Sequence, residues 1–416
     1  MNFDDTPQEA EFRATARKWI AANAPKEFEE ELTKSSLGRI RLAKHDMVDV
    51  GKAWQKKKAD GGWACLHWPK EYGGRGATPI ERVIWQQEEG VYGKLTQPFQ
   101  IGEGMCGPTV MAWGSEDSKR RYLPKLASGE EIWCQLFSEP SAGSDVAGLR
   151  TRAEKKGDNW VVNGQKIWTS LGHRARYGIL IARTDPDASK QRGISYFVCD
   201  MTAPGIEIRP IIEMTGGHTF NEVFLTDVRI PAENLVGEVN DGWRLAKVTL
   251  GNERVSLSSG GALWGMGPTA ETLLDVVGHR GGTEDPLMRR RLVDLHIESE
   301  ILRLIRLRTV TAAIKGMEPG PEASIRKVLA DEHGQNVMAT AKDLAGAGGM
   351  LADAGPLGAP VDIWHYGYLF APALTIGGGT GDVQRNILAE RVLGLPHDVA
   401  VEEGLSWDES RRSGAR

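Results

Sequence analysis

The sequence predicts an α+β protein laid out as helical, then β, then helical. Three observations carry this. Apolar residues recur at helical spacing through the first stretch of the chain; β-branched and aromatic runs separated by Gly, Pro, Asp and Asn follow; and long helical patterns then resume. The boundaries read from them are an N-terminal helical domain at 1–130, a middle antiparallel β domain at 131–240, a C-terminal helical domain at 241–397 and a tail at 398–416.

Taken in order, Glu9–Ala22 carries Phe12, Ala16, Trp19 and Ile20 on one helical stripe, and Pro25 ends it. Helical patterns recur at Ile40–Asp60, Pro79–Val91 and Ser115–Ala127, the last opening on a Ser-x-x-Ser cap. Five β runs follow at 159–169, 177–183, 194–199, 206–209 and 221–230, as a small antiparallel domain requires. Helix returns over Gly242–Val277, rich in small residues, and over Pro286–Lys315, where Leu292, Leu295, Leu302, Ile305 and Thr309 share one stripe. Glu322–Leu344 and Val383–Leu393 complete the set, and the last dozen residues, ending RRSGAR, read as a loose tail.

The 416 residues are ample for a large core, and 40% hydrophobic with 26% charged is the composition of a globular protein. A net charge of −5 gives no electrostatic reason for a nucleic-acid partner. No apolar run reaches the ~20 residues a membrane span needs, and the acidic start lacks the marks of a signal peptide. Cys65, Cys106, Cys134 and Cys199 lie far apart with no CxxC, and the nine histidines form no HExxH, so neither a disulfide framework nor a metal site is expected. A cytoplasmic enzyme is the expectation.

The literal GxGxxG at 102–107 is a decoy. A dinucleotide fingerprint needs a strand before it and a helix N-terminus after it, whereas this one sits in a helical region. Its glycines are read as helix-packing residues. The segment QLFSEPSAGSD at 135–145 is different, because small residues and hydroxyls let backbone lie flat on a planar ligand and donate N–H groups. Just after a β run comes KIWTS at 166–170, an aromatic plane beside two hydroxyls. FNEVFLTDVRIP at 220–231 and GTGDVQRNILAER at 379–391 follow.

These four segments, in this order and on this layout, resemble the acyl-CoA dehydrogenase family over residues 5 to 397. The resemblance implies an N-terminal helical domain, a middle β domain and a C-terminal four-helix bundle, with FAD between the last two and a neighbouring subunit completing its site. It implies oxidation of an acyl-CoA to the trans-2-enoyl-CoA, with hydride passing to flavin N5 and electrons on to an electron-transferring flavoprotein. Carried over residue by residue, flavin contacts fall on Phe137, Ser138, Gly143 and Ser144, on Trp168, Thr169 and Ser170, and on Thr380 and Asp382. Ser144 also falls where the family contacts substrate, and Ser170 where a hydroxyl bonds the N5 region. The arginine donated across the dimer is Arg280.

The chain departs from the family in three places. The turn after Arg280 reads GGTEDP in place of the usual continuation, and the flavin-contacting glutamine near the next helix is missing. The Gln-x-x-Gly-Gly stretch has become LAGAGG at 344–349. The base that short- and medium-chain members carry in Tyr-Glu-Gly-Thr is replaced by Gly378, flanked by Gly377 and Gly379. Isovaleryl- and long-chain-type members instead place the base on the first bundle helix in Asp-Leu-Glu-Arg. Here GNER puts Glu253 at the base and Arg254 at the CoA-proximal arginine, with Gly378 and Gly379 against the thioester.

The chemistry needs those residue types. A thioester α-proton is a weak acid, so its removal calls for a placed carboxylate and for donors to the developing enolate oxygen. By resemblance the donors are a flavin ribityl hydroxyl and the Gly378 N–H. Two other readings remain open at this point: a same-fold flavin oxidase or monooxygenase, and a structural subunit of a heteromeric dehydrogenase whose flavin site a paralogue completes. Assembly is expected to be a homo-oligomer or a heteromer with a paralogue.

Overall fold

Two consecutive apolar runs define the centre of the β region in the computed structural model, which describes residues 5–35, 40, 42–257, 269–317, 320–350, 363–399 and 401–413. The strands are β1 Trp133–Leu136, β2 Arg152–Lys156, β3 Asn159–Lys166, β4 Tyr177–Arg183, β5 Ile194–Asp200, β6 Ile206–Pro210, β7 Asn221–Pro231 and β8 Leu235–Val236. They form one sheet in the order β6-β7-β3-β2-β4-β5-β8, with β1 added parallel to β4. Every residue of β4 is buried, because both faces of this strand pack. Alternate side chains separate cleanly: Tyr177, Ile179 and Ile181 enter one cluster, Leu180 and Ala182 another.

The first cluster is completed by helices α5 Gly107–Trp113 and α6 Glu116–Ala127 and by the start of α7 Gly242–Leu257. The second draws on β1, β2, β3, β5 and β7. Thr249 of α7 is pinned by hydroxyl contacts to Thr109 at 2.8 Å and Tyr196 at 3.1 Å. The helical segment around 102–107 confirms the packing role of its glycines. A Cβ on Gly107 would stand 2.3 Å from the buried Trp68 ring, a clash that only glycine avoids.

The remaining helices are α1 Pro7–Asn23, α2 Glu29–Lys34, α3 Met47–Asp60, α4 Pro79–Glu89, α8 Ala270–His279, α9 Pro286–Ile314, α10 Ala323–Ala345, α11 Ile363–Phe370, α12 Gly381–Ile387 and α13 Trp407–Ser413. Thr6 and Thr78 open α1 and α4 with reciprocal capping boxes, and Ser115 caps α6 through the Ser118 N–H. Leu273, Leu292, Leu295, Val337, Met338 and Leu374 form the core among α8, α9, α10 and the residues after α11.

Two compact units contain these elements: residues 1–50, 77–97 and 254–396 in one, and 51–76, 98–253 and 397–416 in the other. The expectation of a loose tail is corrected. Residues 401–413 end in α13, whose Trp407 is buried and donates its backbone N–H to the Ala188 carbonyl at 2.8 Å. The arginine- and serine-rich composition suggested solvation, but one buried indole outweighs it.

Candidate active site

Two of the segments singled out in the sequence are tied directly together in the β-containing unit. The Ile167 N–H donates to the Ser138 carbonyl at 2.9 Å, and Lys166 Nζ donates to the Phe137 carbonyl at 3.0 Å. Lys166 also pairs with Glu139 at 2.9 Å, and both side chains are buried. The Glu139 carboxylate accepts the Arg150 and Thr151 backbone N–H groups at 2.6 and 2.9 Å. Burial would push the Glu139 carboxyl up, but Lys166 and these donors outweigh it and hold it below the usual range. Burial lowers Lys166, with Glu139 opposing. A buried ion pair is tolerable only when hydrogen bonds also serve its partners; here two backbone N–H groups serve the carboxylate and the Phe137 carbonyl serves the ammonium.

The turn after Lys166 is strained. Trp168 and Leu171 sit at φ of +59° and +54°, a region costly for side-chain-bearing residues. Asn221 holds the turn: Thr169 N–H donates to its carbonyl at 3.0 Å, its own N–H returns to the Thr169 carbonyl at 3.1 Å, and its side-chain amide adds a bond at 2.9 Å. What the turn presents is unusual. Trp168 is 56% exposed, edge-on to Phe220, while Thr169 is fully buried with a hydroxyl that has no partner among the described residues. Gly143 and Ser144 are exposed, and a Cβ on Gly143 would meet nothing within 4 Å. The Phe137 ring, by contrast, is in the core against Tyr196, so only its backbone is available to a ligand.

The other unit carries the remaining candidates except Glu253. Arg280 is exposed and follows the end of α8. Thr380 caps α12 by accepting the Val383 N–H at 3.2 Å, and Asp382 is exposed beside Arg385. Gly378 and Gly379 adopt φ of +69° and +89°. Buried Gln384 turns back to donate to the Gly378 carbonyl at 3.1 Å, and its Oε1 has no partner among the described residues. The altered 344–349 stretch is tethered by Lys342, which donates to the Gly349 carbonyl and to His365 Nδ1. Glu253 lies on α7 one turn after Thr249, but its side chain and that of Arg254 lie outside the described residues.

Sequence reasoning singled out the loop and the turn but not the residues that brace them, Lys166, Glu139 and Asn221, nor Gln384, which braces Gly378. All four stand inside the quoted segments, yet nothing in spacing separates a brace from a ligand contact. Among the described residues no group of His, Cys, Asp or Glu could hold a metal, and no helix is long and apolar enough to cross a membrane.

Three family models match in order: the acyl-CoA dehydrogenase N-terminal domain at 6–130, its middle domain at 134–228 and its C-terminal domain at 240–393. The acyl-CoA dehydrogenase IpdE1 of Mycobacterium tuberculosis is 38% identical over 94% of this chain and 98% of the relative. A solved structure titled a Tcur3481-Tcur3483 steroid ACAD superposes with a TM-score of 0.77 at 29% identity, over 96% of this chain and 100% of the other. The ChsE4-ChsE5 complex of Mycobacterium tuberculosis gives 0.75 at 32% identity, over 96% and 100%.

Fold and relatives together define an FAD-dependent oxidoreductase acting on acyl-CoA thioesters. The chain belongs to the acyl-CoA dehydrogenase family. The β-unit residues fit such a cofactor: an unpartnered buried hydroxyl costs about 1–3 kcal/mol, which a hydrogen-bonding ligand beside the open Trp168 plane would recover.

Proposed function

We propose that this chain dehydrogenates a branched or ring-bearing acyl-CoA to the trans-2-enoyl-CoA, with Glu253 as the base. The observation that carries the reading is the bond between the Ile167 N–H and the Ser138 carbonyl, which sets Gly143 and Ser144 on the same loop that meets the Trp168–Ser170 turn. Phe137 and Ser138 offer backbone, Trp168 a plane, and Thr169 and Ser170 hydroxyls to FAD; the family resemblance also assigns Thr380, Asp382 and, from a neighbouring subunit, Arg280 to the cofactor. When bound, FAD supplies the acceptor for the substrate β-hydrogen as hydride.

The chain's own residues do the proton chemistry. By resemblance to the family, Glu253 is assigned the α-proton, Arg254 the CoA portion and the Gly378 N–H the charge that develops on the enolate oxygen. The same resemblance assigns Ser144 and Gly379 to the thioester. Replacement of the Tyr-Glu pair of other members by Gly377 and Gly378 removes bulk near the reacting carbons, and a relative's title names a steroid enzyme. A steroid-derived acyl group is therefore the substrate class this reading favours.

A heteromer with a paralogue is the favoured assembly. The titles of both structures above name two gene products, and α9 exposes Val293, Ile297, Ile301 and Leu304 at helical spacing. The altered 344–349 stretch also favours completion of the flavin site by another chain. Electron-transferring flavoprotein is the proposed acceptor, and the cytoplasm the proposed location. The test is purification of the chain alone and with a paralogue. FAD per chain is then measured, followed by enoyl-CoA formation with an artificial acceptor against oxygen. Colourless, inactive protein in both preparations would overturn the enzymatic reading; peroxide formation at the same rate would make it an oxidase.

A further inference from the structure

The C-terminal segment is coupled to the candidate flavin loop through two cations. Lys190 donates to Asp145 Oδ2 at 3.0 Å and pairs with Glu402 at 2.5 Å, so one ammonium group bridges the loop and the segment. Ser410 of α13 donates to the other Glu402 oxygen at 2.9 Å. Arg183, at the end of β4, is buried and donates to the carbonyls of Ala147 at 2.7 Å and Lys190 at 2.7 Å. Its guanidinium carbon lies 4.8 Å from the centre of the buried Trp407 ring. Trp407 and Asp408 also donate their N–H groups to the Ala188 and Pro186 carbonyls at 2.8 and 3.2 Å.

This arrangement has a physical cost that only an ordered segment removes. Burial lowers Arg183 to about 10, with Glu139, Asp145 and Asp185 opposing. A buried cation served by carbonyls gains further from an aromatic face placed over it in a water-poor setting. Without Trp407 the guanidinium meets water, and its bond to Ala147 competes with solvent. The loop then loses the anchor on its C-terminal side, and without Glu402 the Lys190 bridge to Asp145 is no longer fixed from behind.

We propose that residues 401–413 are a strut for the 143–149 loop, acting through Trp407 on Arg183 and through Glu402 on Lys190, and that this strut sets how tightly the loop holds FAD. Arg183, Lys190, Glu402 and Trp407 are positioning residues. The effect on FAD rests on the reading of Gly143 and Ser144 as cofactor contacts.

The experiment compares holoenzyme carrying Trp407→Ala, Trp407→Phe, Glu402→Gln or Ser144→Ala with the parent. The readouts are amide hydrogen exchange over residues 143–149 and FAD affinity from flavin fluorescence on dilution. In Trp407→Ala, exchange rises in that loop and FAD affinity falls about 5-fold, the size of one lost cation–π contact. Trp407→Phe, which keeps an aromatic face, restores both, and Glu402→Gln moves both in the same direction by less. Should Trp407→Ala fail to fold, Glu402→Gln alone decides. Parent-like exchange at 143–149 overturns the strut. Faster exchange with unchanged FAD affinity also overturns the proposal, and Ser144→Ala then separates the causes. If it weakens FAD, the coupling has failed; if it does not, the cofactor reading of the loop has failed.

Discussion

Thr169 and Asn221 are joined by three hydrogen bonds, two between their backbones at 3.0 and 3.1 Å and one from the Asn221 amide to the Thr169 carbonyl at 2.9 Å. Asn221 Oδ1 meets His173 Nδ1 at 3.2 Å on its other side. The pair restrains a turn with two residues at positive φ, so the turn's shape is imposed from outside rather than preferred locally.

Asn221→Leu removes the side-chain bonds while keeping the volume similar. The expected cost is about 1–3 kcal/mol of stability, together with a shifted flavin absorption spectrum as the Trp168 plane and Thr169 hydroxyl move. Urea unfolding and the visible spectrum of the holoenzyme check this. A variant with parent stability and spectrum would show that the turn holds itself.

The Lys166–Glu139 pair behaves differently from a surface ion pair. Lys166→Met leaves a carboxylate buried at 4% side-chain exposure without its counter-charge. Loss of about 3–5 kcal/mol is expected, whereas Lys166→Met combined with Glu139→Gln, which removes the charge but keeps an acceptor for the Arg150 and Thr151 N–H groups, is milder than the single change. The urea midpoints of the two variants and the parent decide it; a double variant worse than Lys166→Met contradicts the assignment.

How much of this was legible follows from the range of each interaction. Strands β4 and β5 announced themselves because both their faces are buried, which leaves continuous apolar runs. Strand β1 has four residues, and β2 reads RAEKK with only Ala153 buried, so neither has a pattern to detect. The loop and turn were visible through their residue types. Their braces were not, since Lys166 finds Glu139 27 positions away and Asn221 finds Thr169 52 positions away. The terminal segment was misread for the same reason: Trp407 is local, but the Arg183 beneath it is not.

A pH dependence follows from the helical unit. Buried Asp331 of α10 pairs with Lys327, which also donates to the Leu374 carbonyl at 3.0 Å. Burial raises Asp331 to about 6, with Lys327 opposing. The folded protein therefore holds this proton more tightly than the unfolded chain. The resulting stability is fully present below the ordinary aspartate value and is lost as pH rises through about 6. Other carboxylates titrate in the same range, so the measurement is the difference between parent and Asp331→Asn. That difference is expected to change by on the order of 3 kcal/mol between pH 4 and pH 7. A pH-independent difference would mean that Asp331 ionises normally.

Glu253→Gln tests the base. The change keeps size and removes proton-accepting capacity, so FAD stays bound while substrate-induced flavin bleaching slows by about 1,000-fold or more. Stopped-flow absorbance of the anaerobic holoenzyme measures it. Parent-like bleaching would move the base to another residue.

Substrate shape is tested at the glycines before α12. Gly379 has φ of +89°, and a Cβ there would stand 2.5 Å from Gln384 Nε2, the donor to the Gly378 carbonyl. Gly379→Ala would therefore strain the backbone and displace Gln384, at a cost on the order of 1–3 kcal/mol. The native glycines do more than avoid that clash. Where other members place a tyrosine and a glutamate, this chain places no side chain, and the proposed reading takes this as room for branching or a ring next to the thioester. Unfilled apolar volume forfeits dispersion contacts, so a slim straight chain binds loosely in the same space. The expected result is a kcat/KM for branched or cyclic acyl-CoAs, including a steroid-side-chain thioester, above that for butyryl- or octanoyl-CoA. Gly379→Ala should lower that ratio by displacing Gln384 and freeing the Gly378 carbonyl it holds, while the straight-chain rate falls less. A ratio well below one across several bulky substrates would show that the three glycines serve only the backbone angles of the turn into α12.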